Sequence, residues 1–103
     1  MVTILEIAST NYEDDVFQMK KALSHLQTTC VVSDGYLLSD PVSKFGWTFF
    51  KLLLKPDFHF SIEKNFSDMI LKYKGKKEEK LANFISDFFQ SRGCKIKLKL
   101  IES

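Results

Sequence analysis

Long apolar runs are missing from this sequence. No window reaches the about 18 apolar residues that read as a bilayer-spanning helix, because Lys44, Lys51 and Lys55 interrupt the greasiest stretch. Cysteine is sparse. Cys30 and Cys94 stand far apart, which excludes a disulfide framework and the paired spacing of a zinc site. Both sit in apolar segments and are expected to be buried free thiols. No glycine-rich phosphate loop, linker or low-complexity tract is present. Arginine is reduced to Arg92. Neither sign of charge dominates: 15 Lys and Arg against 13 Asp and Glu leave +2, which neither demands nor excludes a polyanionic partner. The opening MVTILEIAST has no basic start and no long apolar centre. No signal peptide is expected, and the chain reads as cytoplasmic.

What is present is phenylalanine, ten in 103 residues, and each brings a large area to bury. The length suits one domain, 1–103, able to fold without staples. Residues 2–8, VTILEIA, read as an inner strand. STNYEDD then offers helix N-caps and acidic residues that complement a helix dipole. Val16, Met19, Leu23 and Leu26 follow at spacings of three and four, which predicts a helix over 12–27. Asp34-Gly35 between short apolar runs predicts a hairpin with strands near 29–33 and 36–39.

The stretch DPVSKFGWTFFKLLLKPDFHF, residues 40–60, is the most informative. Asp40-Pro41 suits an N-cap followed by proline at the first helical position. Lys44, Thr48, Lys51 and Lys55 recur at four, three and four, in one narrow polar stripe. At a spacing of two, Lys51 shares a side with Phe49 and Leu53, and no polar face emerges. The helix reading is therefore preferred to a hairpin over 42–54, ending before Pro56. DFHFSIEK alternates and reads as a half-buried strand, with Phe58, Phe60 and Ile62 inward; MILKYK reads as another. Leu81, Phe84, Ile85, Phe88 and Phe89 stripe the last helix, and Gly93 stops it. Ile96, Leu98 and Leu100 then alternate with Lys95, Lys97 and Lys99. The expected fold is α+β, an open sandwich of mixed sheet with helices mainly on one face, in the order β-α-ββ-α-ββ-α-β.

A helix apolar around most of its circumference needs cover on more than one side. Phe45, Trp47, Phe49, Phe50 and Leu54 are accordingly expected at an interface, with another protein or a second copy of the chain. The leading expectation is a small non-catalytic protein-interaction domain, an adaptor, inhibitor or immunity-type protein. The alternative is a nucleic-acid-binding regulator using Lys72, Lys74, Lys95, Lys97 and Lys99 on the outer sheet face. Against it stands the lack of aromatic platforms on that face, since Phe58 and Phe60 read as core-facing. Glu13, Asp14 and Asp15 are adjacent on a helix and point apart, so capping explains them better than metal binding. His25, Cys30, His59 and Cys94 match no ligand pattern. Catalysis is not expected; a cleft around Glu6, Asn11 and Asp14 would be its one foothold. No cofactor, metal or membrane partner is expected.

Overall fold

The computed structural model describes residues 2–102, with the side chain of Glu102 excepted. The chain forms β1 (Thr3–Ser9), α1 (Tyr12–Cys30), β2 (Tyr36–Leu38), β3 (Val42–Lys44), β4 (Trp47–Leu54), α2 (Pro56–Asn65), α3 (Ser67–Ile70), α4 (Lys77–Gln90) and β5 (Ile96–Glu102). The sheet runs β2-β4-β1-β5, and β3 pairs with the free half of the β4 edge. Each neighbouring pair is antiparallel, more uniform than the mixed sheet expected. The cause is that each helical crossover skips one strand. α1 leaves β1 and returns beyond β4, and α2–α4 leave β4 and return beyond β1. Two interleaved split β-α-β units result, the pattern of ferredoxin-like domains, with the outer strand broken in two.

One face of the sheet carries all the helices. Leu5 and Ile7 of β1, Phe50, Leu52 and Leu54 of β4, and Ile96 of β5 point into the core. They meet Val16, Met19, Leu23 and Leu26 of α1, Phe58 and Ile62 of α2, and the Leu81–Phe89 stripe of α4. Full burial of each large apolar side chain stabilises the fold by roughly 1.5–3 kcal/mol. The α+β class and the one-sided helix layer thus stand as read, and so do β1, α1, α4 and β5. Cys30 and Cys94 are buried free thiols.

Three local readings are corrected. Residues 42–54 are extended, not helical. Val42–Lys44 and Trp47–Leu54 form a hairpin closed by Phe45 and Gly46, both at positive φ (52° and 81°), as a two-residue type I′ loop requires. Pro41 opens no helix. It lies in the gap between β2 and β3, where an edge strand can spare a backbone donor. There the Ser39 N–H donates to Lys51 O, and the Lys51 N–H donates to Ser39 Oγ at 2.7 Å. The serine hydroxyl thereby carries the ladder across the break.

Residues 57–63 are helical, not extended, with Pro56 at the start of α2. Phe58 and Ile62, four apart, are buried, while Phe60 is 69% exposed. The period-two alternation was a coincidence of a short segment. MILKYK likewise contributes only the end of α3, with Ile70 buried and Met69 and Leu71 exposed. No hairpin forms at Asp34-Gly35 either, because α1 continues to Cys30. Gly35 is needed for another reason: a Cβ there would lie 2.7 Å from the Phe58 side chain.

Candidate functional site

Because β4 is an internal strand, its residues alternate between two environments. Phe50, Leu52 and Leu54 face the helices and are at most 2% exposed. Trp47, Phe49, Lys51 and Leu53 face the other way, onto the side of the sheet that no helix covers. Pairing extends this open face sideways. Trp47 stands beside Lys44, and Phe49 between Val42 and Ala8, with Lys97 next across β1. Lys51, Glu6 and Lys99 form the following row. Leu53 lies between Leu37 and Ile4. The uncovered side therefore carries two apolar groups, Trp47 and Phe49 with Val42 and Ala8, and Leu53 with Leu37 and Ile4, separated by the charged row.

Two contacts organise the charges. Lys97 Nζ lies 5.3 Å from the centroid of the Trp47 ring, within cation–π range. Lys99 Nζ is 3.7 Å from Glu6 Oε1, an exposed pair of small energetic weight. Lys44, Lys51 and Lys97 have no carboxylate partner among the described residues. At the hairpin tip Phe45 is 98% exposed at φ 52°. A left-handed conformation costs an ordinary residue about 1–2 kcal/mol, and asparagine or glycine is usual there. The chain thus holds a bare aromatic ring at a strained position, two residues before Trp47 in the sequence.

Of the residues expected at an interface, Phe45, Trp47 and Phe49 belong to this face or its rim. Phe50 and Leu54 belong to the core. Of the lysines expected on the outer face, Lys97 and Lys99 lie on it. Lys95 immediately precedes β5, its N–H donating to Asp15 Oδ1. Lys72 and Lys74 follow α3, on the helical side's connection to α4, not on a strand. The objection that aromatics are missing from the outer face is overturned: Phe58 and Phe60 are on a helix, and Trp47 and Phe49 supply the platform instead. Lys44 and Lys51 read in the sequence as part of a helical polar stripe and not as site residues. Their signal was present, since both flank the aromatic run.

Two polar clusters complete the picture. Asp15 is buried and accepts the Ser9 hydroxyl at 2.5 Å and the Lys95 N–H at 3.0 Å, tying β1, α1 and the start of β5 together. Burial first and the Asp15 charge second push the nearby Cys94 thiol up to about 11. Burial also raises the Cys30 thiol. Neither sulfur is a nucleophile at neutral pH.

The second cluster was missed entirely. Thr3 Oγ1 lies 2.6 Å from His59 Nδ1, and His59 Nε2 lies 3.1 Å from Glu63 Oε1. Hydroxyl, imidazole and carboxylate in a chain resemble a triad in outline. Thr3 is 2% exposed, at the floor of a small pocket that His59, Glu63 and Lys77 also line, and the chain of contacts ties β1 to α2. Reading 57–63 as a strand hid it, because residues four apart on an extended chain are about 13 Å apart, whereas one helical turn brings His59 and Glu63 into contact. Glu6, Asn11 and Asp14 do not converge: Glu6 is on the open face, and Asn11 Nδ2 donates to Asp14 Oδ2 at the start of α1. Among the described residues no group of three or more His, Cys, Asp or Glu side chains is placed to hold a metal ion. No helix there is long and apolar enough to cross a membrane.

Comparison with protein-family models, curated proteins and solved structures found no match.

Proposed function

We propose that this protein is a small non-catalytic binding domain that docks a partner on the open face of its sheet, around Trp47 and Phe49. The observation that supports the reading is that this face carries an apolar, aromatic group around Trp47 and Phe49 yet has no helix over it. A sheet face left to water ordinarily alternates to polar residues. The original ground for docking, a helix with too much apolar surface, is gone. The excess it tried to explain belongs to a strand that is apolar on both sides. An adaptor, inhibitor or immunity-type role is one form such a domain takes.

A second copy of the chain is a poor occupant of this face. Face-to-face association brings two sets of Lys44, Lys51, Lys97 and Lys99 together, with Glu6 and Asp40 the acidic side chains described near them. Like charges brought together in this way oppose association.

The test compares what co-purifies with the chain from its own cells with what co-purifies with a Trp47→Ala/Phe49→Ala variant of unchanged circular dichroism. Loss of the bound material from the variant is expected. Equal recovery by both proteins removes the open face as the docking surface.

A further inference from the structure

The residues of the open face also specify a class of occupant. Resting on the docking face proposed above, we infer that this occupant is single-stranded nucleic acid, bound with little regard to base sequence or sugar. Trp47 and Phe49 are two residues apart on one strand, about 6.8 Å along it; both are half-buried, and the part of each ring left uncovered is where a base would stack. Lysines flank both rings: Lys44 is paired beside Trp47, Lys97 sits over it at 5.3 Å, and Lys51 follows Phe49. The lysine excess suits a polyanion, and the rings distinguish a strand of bases from an acidic polypeptide. On binding, a base takes the place of the Lys97 ammonium on the indole, and the ammonium moves to a phosphate.

The strands of the face carry few of the rigid groups that read sequence. Among the described residues, the open-face positions of β1, β4 and β5 carry no guanidinium, amide or hydroxyl side chain. Guanidinium and amide groups read base edges through paired, planar hydrogen bonds; what the face offers instead is flexible lysines, Glu6 and, at its margin, Ser39 and Asp40, of which the lysines suit phosphates. Arg92 is elsewhere, stacked on Phe88 at 3.7 Å. A duplex offers no unstacked bases to the rings and should bind less well.

The experiment uses the full chain with end-labelled mixed-sequence 20-nucleotide DNA and RNA, read by anisotropy across a salt series. Fluorescence of Trp47, the sole tryptophan, is read alongside. Binding of both strands with quenching of Trp47 is expected. With three or four lysines engaged, the slope of log K against log salt is expected at about −2 to −3, and Lys97→Gln should flatten it by about 0.7. Trp47→Ala should weaken binding about 5- to 150-fold. Lys72→Gln/Lys74→Gln, off the face, should leave affinity and slope unchanged.

The inference is overturned by no binding at low salt, by equal affinity for the duplex, or by loop lysines mattering as much as Lys97. Quenching of Trp47 by poly-glutamate but not by the oligonucleotides overturns it too, while leaving the docking face in place. If acrylamide fails to reach Trp47 in the free protein, the docking face itself is lost.

Discussion

The two sides of β4 carry nearly the same oiliness and meet different fates. Phe50, Leu52 and Leu54 disappear beneath three helices. Trp47, Phe49 and Leu53, one residue out of phase, lie on a face that only neighbouring lysines and short apolar side chains fringe. Composition does not separate the two sets; cover does. Apolar area on the first side stabilises the fold, whereas apolar area on the second has no helix over it.

The comparison is broken or sharpened most strongly by matched truncations. Phe50→Ala is expected to cost about 3–5 kcal/mol in urea unfolding, as for a fully buried aromatic ring. Phe49→Ala should cost about 1 kcal/mol or less. Equal losses would mean that both sides are core. Adding a methyl group is the complementary probe. Gly35→Ala drives a Cβ into Phe58 and should destabilise by about 1–3 kcal/mol. Ala8→Val, beside Phe49 on the open face, should change stability by less than about 0.5 kcal/mol.

A smaller effect is expected at the hairpin tip. Phe45→Asn suits a left-handed residue better and should raise stability by about 1 kcal/mol, while weakening any docking that uses the exposed ring. A loss of stability would show that Phe45 is there for the fold.

The covered side can also be probed by pH. The Cys94 thiol is raised in the folded chain to about 11, so folding favours its neutral form. Its contribution is complete below the unfolded value near 9 and is lost as pH rises through the folded value. Stability should fall between about pH 9 and 11, and Cys94→Ala should flatten that fall. Tyr73 adds to the same slope. Its hydroxyl donates to Asp87 Oδ2 at 2.6 Å, which with burial and the carboxylate charge raises it above its ordinary value. An unchanged slope in Cys94→Ala would place the thiol in contact with water.

Much of the fold was legible because its elements obey one period throughout. In α1, Val16, Met19, Leu23 and Leu26 face one way, and in β5 Ile96, Leu98 and Leu100 alternate with lysines. Each buries one face only, so one face is written apolar. The two segments on either side of Pro56 were exchanged for the opposite reason. β4 is apolar on both sides, which erases the period of two and lets Lys44, Thr48, Lys51 and Lys55 imitate a helical stripe. α2 is short and adds an exposed Phe60 to buried Phe58 and Ile62, which imitates alternation. Pro56 suits either a helix end behind it or a helix start ahead of it, and only the second occurred. The candidate site suffered accordingly: Phe45, Trp47 and Phe49 were found among the right residues for the wrong geometry, and Lys97 and Lys99 without their aromatic partners.

Residue order alone determined that this chain would build an α+β core from one-sided elements, keep its thiols buried, and carry more apolar surface in residues 42–54 than a single buried face uses. Tertiary structure decided where that surplus goes. Pairing of β4 between β1 and the broken β2–β3 edge sends alternate side chains to opposite faces. Both crossovers place their helices on the same face. Side-chain chemistry along a strand is local, but which face receives a helix depends on connections tens of residues away.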